Sequence, residues 1–338
     1  MNASNCHVPL DAELSFLSQP GNYPEPTRRV IPVETHMSWV FLTDEYAYKL
    51  KKPIRYGPID ARMTAMRHFY CVEEVRLNRR LADGIYLAAL PLVLGHGGHL
   101  EFFGEGVTVD WLVKMRRLPH ELMLDDIIVR GCARPSDIDT VARLVAAFHR
   151  SCRKLMQRAQ PFSERIAAVI ARHERELLEP HYGLGTELVY ALSGGQRAAL
   201  ERLAPIIDKR HALGRVVEGH GDLRAEHVFL GEPIAIIDCI EFSRELRTLD
   251  CLDEAGFLAL ECERLGAPAL AAAFLESYGR YSGQETSCDL RHFYQSVRAV
   301  TRATVAIRHL NDPRYRYSRH WRDRSLGYLA LAWRHMQH

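Results

Sequence analysis

Apolar residues alternate with polar ones between Val30 and Lys51, and from Arg116 onward they recur every three or four positions. This change of period constrains the fold more than any other feature of the chain. Side chains repeat every second residue along a strand and about every 3.6 residues around a helix, so the two regions cannot share one kind of element. Val30–Val33, Trp39–Leu42 and Tyr46–Lys51 read as three strands. The loop Glu34–Ser38 and the turn Thr43-Asp44-Glu45 separate them, which makes a β-meander. A helix is expected over 62–82, with Ala65, Phe69, Val72, Leu77 and Leu81 as its apolar rhythm. Two further strands are expected at Tyr86–Leu94 and Val107–Met115, the first followed by the hairpin turn Gly95–His99. Ile138, Val141, Leu144, Val145 and Phe148 then form an amphipathic helix that Asp137 or Ser136 can cap. Other helices are expected over 163–180, 186–208, 249–265, 268–281, 289–310 and 321–336, with Pro161, Pro180 and the Gly194-Gly195 pair as punctuation. Strands first and helices after is an α+β arrangement, here a β-rich part over 1–115 and a helical part over 116–338.

The helical part is interrupted by one stretch of a different kind, Glu218–Leu230 followed by Pro233–Asp238. Asp222 lies in a polar loop between apolar segments, and Asp238 ends the apolar run Ile234–Ile237. Gly231–Pro233 is a turn cluster, so a short hairpin is expected to bring the two carboxylates near each other. Two aspartates at converging strand ends suit phosphoryl transfer. One orients an acceptor hydroxyl and takes its proton, and the other holds Mg2+ on the phosphates.

His220-Gly221-Asp222, a polar residue five positions after the aspartate, and Ile237-Asp238 together resemble the catalytic core of the aminoglycoside phosphotransferase-like kinases, distant relatives of protein kinases. The order of the pieces fits that resemblance over nearly the whole chain. It implies a protein-kinase-like bilobal fold, with a small β-rich N-lobe and a larger, mostly helical C-lobe. Ala47-Tyr48-Lys49 resembles the Ala-x-Lys of the third kinase strand, so Lys49 is expected at the ATP phosphates, with Lys51 and Lys52 as close competitors. Glu74 or its neighbour Glu73 would pair with that lysine, and Glu74 is preferred because it shares a helix face with Leu77 and Leu81. The resemblance places Ser38 and nearby backbone amides at phosphate, although Glu34–Ser38 holds no glycine. It places Met115 and Leu118 at the adenine, on the hinge after the fifth strand. Asp222 takes the catalytic role, Asp238 ligates Mg2+, and His227 stands where the family has an asparagine as second metal ligand. That histidine is a departure, since a neutral imidazole suits Zn2+ better than the oxygen-seeking Mg2+. More narrowly, Glu34–Leu42 with Tyr46–Lys49, and Asp238–Phe242, resemble an uncharacterised bacterial branch sometimes fused to a P-loop ATPase domain. No G-x-x-x-x-G-K-[ST] occurs in the chain, so that extra domain is expected to be absent.

Composition narrows the partners. Hydrophobic residues make up 47% and charged residues 25%, the proportions of an ordinary soluble protein. No run approaches the roughly 18 apolar residues of a membrane span, and Met1–Leu10 lacks the apolar core of a secretory signal. Eight cysteines without a C-x-x-C pair fit a reducing compartment, so a cytoplasmic location is expected. Residues 291–338 hold ten arginines against Asp312 and Asp323, a local charge of +8 within a chain of net charge +2. Such a surface repels polycations and attracts phosphates, carboxylates or nucleic acid. In the resembled family, drug-modifying members line the acceptor pocket with carboxylates, which are scarce in this segment, although an earlier helix such as Asp250–Glu263 can supply some. The expected acceptor is therefore a neutral or anionic hydroxyl-bearing small molecule rather than an aminoglycoside, and neither nucleic acid nor membrane is an expected partner. Three readings stand at this point: an ATP-dependent small-molecule kinase, a pseudokinase-type nucleotide- or partner-binding module suggested by His227, and a metal hydrolase built on His220, Asp222, His227 and Asp238. The third leaves the meander and Lys49 without a purpose.

Overall fold

The alternation along Tyr46–Lys51 decides how the first part of the molecule is built. Tyr48 and Leu50 point to one face and are fully buried; Ala47, Lys49 and Lys51 point to the other. The computed structural model of the chain describes residues 8–56, 59–155, 160–284 and 287–338, so Cys6 and most of the polar stretch Met1–Leu10 lie outside the described residues. The chain divides into two compact units. The first comprises the residues up to Leu122 together with Phe229–Arg244, and the second Met123–Val228 with Glu245–His338.

In the first unit α1 (Leu10–Leu17) precedes the strands β1 (Ile31–Glu34), β2 (Ser38–Leu42) and β3 (Tyr46–Lys51). A two-residue ladder, β4 (Arg55–Tyr56) with β5 (Ile59–Asp60), leads to α2 (Thr64–Asn78). The strands β6 (Tyr86–Gly95), β7 (Leu100–Phe102) and β8 (Gly106–Arg116) complete a six-stranded antiparallel sheet in the order β1-β2-β3-β8-β6-β7. One sheet face carries Phe41, Tyr48, Leu50, Leu92 and Leu112, closed over by Leu17 and Tyr23. Each such side chain contributes about 1.5–3 kcal/mol on burial.

Helix α2 packs on the sheet, but with a different face from the one its apolar rhythm suggests. Ala65, Phe69 and Val72 are exposed, whereas Arg67, Tyr70, Cys71, Glu74, Leu77 and Asn78 are buried. The reason lies in the sheet. Lys49, Lys51 and Asp110 are charged groups that need partners once out of water, and α2 supplies Glu74 and Arg67. Arg67 Nε lies 2.7 Å from Asp110 Oδ1, and its Nη1 donates to the Ala61 and Arg62 carbonyls. Leu77 and Leu81 are buried as expected. The segment Phe229–Arg244 is tied to the same unit through its backbone. It opens with a hairpin of β10 (Val228–Phe229) and β11 (Ala235–Ile236), after the strand β9 (Val216–Glu218) of the second unit. Its Leu230 N–H donates to the Leu122 carbonyl and its Ile236 N–H to the Leu81 carbonyl.

The second unit is helical apart from β9, which pairs with β12 (Thr248–Asp250). Its helices are α3 (Leu124–Val129), α4 (Pro135–Ser151), α5 (Phe162–Leu177), α6 (Thr186–Ala212), α7 (Cys251–Arg264), α8 (Pro268–Ser282), α9 (Cys288–Ile307) and α10 (Arg319–Met336). Ile138, Val141, Val145 and Phe148 of α4 are buried, and Asp137 closes that helix by accepting the Arg134 N–H. The Gly194-Gly195 pair does not punctuate: α6 runs through it. Each glycine costs a helix only about 1 kcal/mol, which the buried Val189, Leu192, Leu200 and Leu203 offset. Helix α7 is buried along nearly its whole length and is central to this unit. Asp250 caps it by accepting the Leu252 N–H and takes two 2.7 Å bonds from Arg210. No helix among the described residues is long and apolar enough to cross a membrane.

Candidate active site

In the first unit the sheet face beneath α2 gathers five charged groups. Lys49 Nζ lies 2.8 Å from Glu74 Oε1 and 2.8 Å from Asp238 Oδ1. Lys51 Nζ bridges the other Glu74 oxygen and Glu241 Oε1, each at 2.5 Å. Glu74 is fully buried, Lys49 nearly so, and the Asp238 side chain keeps 42% of its exposure. Burial works against the Lys49 charge, yet Asp238 and Glu74 raise its pKa well above the ordinary lysine value. Burial likewise opposes ionisation of Glu74, and the two lysines prevail and lower its pKa. Glu241 is held above the usual carboxylate range by burial, against the pull of Lys51. With every group ionised, two cations face three carboxylates, so the cluster keeps a net negative charge that a metal ion can complement.

Backbone geometry fixes where Asp238 stands. Its φ is 63°, in the left-handed region, which costs an L-residue about 1–2 kcal/mol and which aspartate tolerates better than most. The Asp238 N–H donates to the Tyr86 hydroxyl at 3.1 Å and the Cys239 N–H to Asn78 Oδ1 at 2.9 Å, so β6 and α2 hold the turn in place. Of the competing lysines, Lys52 leaves the cluster for Glu34 and the Thr35 carbonyl. Glu73 points away and pairs with Arg76. Ser38 opens β2 with a buried side chain, and its N–H donates to Thr35 Oγ1 in the turn after β1. Met115 pairs in register with Ala47 and Tyr86 near the end of β8, and Leu118 follows half-buried.

In the second unit a buried carboxylate organises the turn after β9. Glu254 of α7 accepts the N–H of His220 at 3.0 Å and of Gly221 at 2.6 Å, and His149 Nε2 lies 2.9 Å from its second oxygen. The carboxylate passes so close to Gly219 that a Cβ there would stand 2.4 Å from Oε2, so this position admits only glycine without a shift. Burial acts to raise the Glu254 pKa, but the hydrogen bond and charge of His149, with His220, hold it at about 2.

Asp222 follows this turn. Arg224 Nε lies 2.9 Å from its Oδ2, and Arg302 Nη1 lies 3.8 Å from its Oδ1. His227 is buried, with Nδ1 2.9 Å from the Asp222 carbonyl and Nε2 3.0 Å from Arg224 Nη2. Arg224 also bonds Glu226. Arg298 forms a bidentate pair with Asp253, both distances 2.7 Å. The first unit thus brings Lys49, Glu74 and Asp238 together, and the second brings Asp222 and His227 together. Sequence reasoning missed Glu241, Glu254, Arg224 and Arg302. Glu241 alone carried a signal, three residues past Asp238. Among the described residues no group of three or more His, Cys, Asp or Glu side chains could hold a metal ion by itself. Asp238 nonetheless fits Mg2+, a hard cation that takes one or two carboxylates and completes its shell with water and phosphate.

No protein-family model matches the sequence. Over 315 residues, 90% of this chain, it is 32% identical to uncharacterised proteins of Mycobacterium tuberculosis and Mycobacterium bovis, and it spans 59% of their length. Nothing in the comparisons supports the expected tie to a fused P-loop ATPase domain. A choline/ethanolamine kinase family protein from Mesorhizobium loti superposes with a TM-score of 0.56 at 17% identity, covering 97% of this chain and 94% of its own. Spectinomycin phosphotransferase in its AMP-bound complex gives 0.53 at 12% identity, covering 96% and 97%. A thermostable mutant of an aminoglycoside phosphotransferase gives 0.52 at 12% identity, covering 90% and 95%. Identities this low speak to the fold, and the agreement extends over nearly all of each chain. With its small antiparallel-sheet unit and its mostly helical second unit, the chain has the protein-kinase-like fold that these choline/ethanolamine kinase and aminoglycoside phosphotransferase structures share.

Proposed function

We propose that the protein is an ATP-dependent phosphotransferase that moves the γ-phosphate to a hydroxyl of a small neutral or anionic molecule. The observation that carries this reading is Lys49, held by Glu74 on one side and Asp238 on the other, on the third strand of a kinase-like sheet. Lys49 neutralises charge on the nucleotide phosphates, and Glu74 keeps it extended towards them. Asp238 holds a Mg2+ ion, which when bound offsets phosphate charge. Adenine sits against Met115 and Leu118, and Ser38 and the turn before it approach the phosphates. Asp222 orients the acceptor hydroxyl and accepts its proton as the phosphoryl group leaves the nucleotide. The AMP in the spectinomycin phosphotransferase complex supports nucleotide binding by this fold. The non-catalytic alternative is not favoured by neighbours that are small-molecule kinases. The cysteines among the described residues are free thiols, which supports a reducing, cytoplasm-like compartment.

The acceptor class follows from the charge beside Asp222. Arg302 adds a guanidinium within 4 Å of the carboxylate, its Nη1 3.8 Å from Asp222 Oδ1. A cationic acceptor approaching this carboxylate meets a fixed positive charge, whereas a phosphate or carboxylate finds a donor. The test is ADP release from Mg2+-ATP with a panel of sugars, sugar phosphates, nucleosides, choline and aminoglycosides. Turnover with a neutral or anionic member supports the proposal. Efficient phosphorylation of aminoglycosides alone would overturn the acceptor class, and no nucleotide binding at all would overturn the kinase reading.

A further inference from the structure

We infer that the guanidinium of Arg224 takes the place of a second divalent cation, so that the protein works with one metal ion. The inference rests on the phosphotransferase reading. Kinases of this fold class hold two Mg2+ ions, one on the aspartate after the hairpin and one on the residue at the position of His227. The residues here do not fit a second ion. A backbone carbonyl only accepts hydrogen bonds, so His227 Nδ1, 2.9 Å from the Asp222 carbonyl, carries a proton. A guanidinium only donates, so His227 Nε2, 3.0 Å from Arg224 Nη2, accepts. The ring is then a neutral tautomer whose one available lone pair is spent on Arg224. A metal needs that lone pair, and Mg2+ would in any case prefer oxygen.

The same guanidinium does what the missing ion would do. Arg224 bonds Asp222, Glu226 and His227 at once, and its side chain is only 11% exposed. It places a permanent positive charge, pre-organised and largely out of water, beside the carboxylate that handles the acceptor. A simple latch for the loop needs only the two carboxylates. The third bond, to the imidazole, is the one that closes the position to a metal ion. In this reading the histidine and the arginine are one replacement for the asparagine and its ion.

The test counts ions rather than turnover. The full chain is saturated with the non-hydrolysable nucleotide AMP-PNP, and bound Mn2+ is measured by equilibrium dialysis and by electron paramagnetic resonance. One Mn2+ per chain is expected in the wild type and in His227→Asn, where Arg224 still caps the site. Two are expected in His227→Asn combined with Arg224→Met, with the spectral broadening of a coupled pair. Two ions in the wild type with AMP-PNP bound refute the inference and leave the kinase reading standing. A count of one in a folded double variant also refutes it. Failure of the wild type to bind AMP-PNP sinks the kinase reading and this inference with it.

Discussion

Replacing Glu254 by glutamine tests what holds the turn before Asp222, at a residue outside the proposed site. The carboxylate is almost completely buried, and two backbone N–H groups and one imidazole converge on it. Its pKa falls from 4.5 to about 2 on folding. A tenfold change in proton affinity is worth about 1.4 kcal/mol, so the ionised form contributes about 3 kcal/mol at neutral pH. Because the folded value lies below the unfolded one, this contribution is complete above pH 4.5 and is lost as pH falls from there towards 2. Glu254→Gln keeps the shape, removes the charge and turns one acceptor into a donor. The second unit has the size at which each kcal/mol moves the melting temperature by about 2–4 °C, so a fall of about 6–12 °C at pH 7 is expected. The two proteins should converge as the pH is lowered. Differential scanning calorimetry at pH 7, 5 and 3 reads both effects. A change below about 2 °C at pH 7, or a difference that does not shrink with acid, would show that the geometry of this carboxylate has been misjudged.

Three other outcomes follow if the proposed phosphotransferase function holds. Asp222→Asn should leave AMP-PNP affinity within about twofold of wild type while turnover falls by about 10²–10⁴, the usual worth of a positioned general base; an active variant removes Asp222 from the chemistry. Lys49→Met should lower turnover by about 10²–10³ and weaken nucleotide binding, as measured by titration calorimetry, since a preorganised phosphate cation is lost; unchanged binding would move the phosphate role to Lys51. Arg302→Gln should raise KM for an anionic acceptor by about tenfold or more, the worth of a charge-assisted hydrogen bond, with kcat nearly unchanged. Equal loss with neutral and anionic acceptors would mean that Arg302 only holds Asp222.

Much of this architecture is legible in the sequence because periodicity reports burial of apolar groups. The helices from α4 onward lie close to their expected ranges, and the alternation of β3 places Lys49 and Lys51 on a common face, where Glu74 reaches both. Periodicity fails where charge is buried. Helix α2 turns Phe69 and Val72 outward because Glu74 and Arg67 answer charges on the sheet, and no pattern of apolar residues can announce that. Nor can it find Glu254, which lies within a continuously buried helix and is recognisable only by the N–H groups aimed at it. Arg224 was hidden differently. It reads as one more surface arginine until its three partners are seen around it.

The division of the chain bears on how the protein is made. Phe229–Arg244 belongs with the sheet unit, although the residues on both sides of it belong to the helical one. A nascent chain that has emerged only as far as Leu122 has all six strands and α2, but it lacks Asp238 and Glu241. Lys49 and Lys51 then share Glu74 alone, an excess of buried positive charge that disfavours the closed helix–sheet packing. Domains generally fold as units during synthesis, the N-terminal one first. Here that order is interrupted: Lys49 and Lys51 gain their further carboxylate partners, Asp238 and Glu241, only after residues 229–244 have left the ribosome. The sheet unit is thus completed by a late segment, and a fragment ending at Leu122 is expected to be a poor substitute for it.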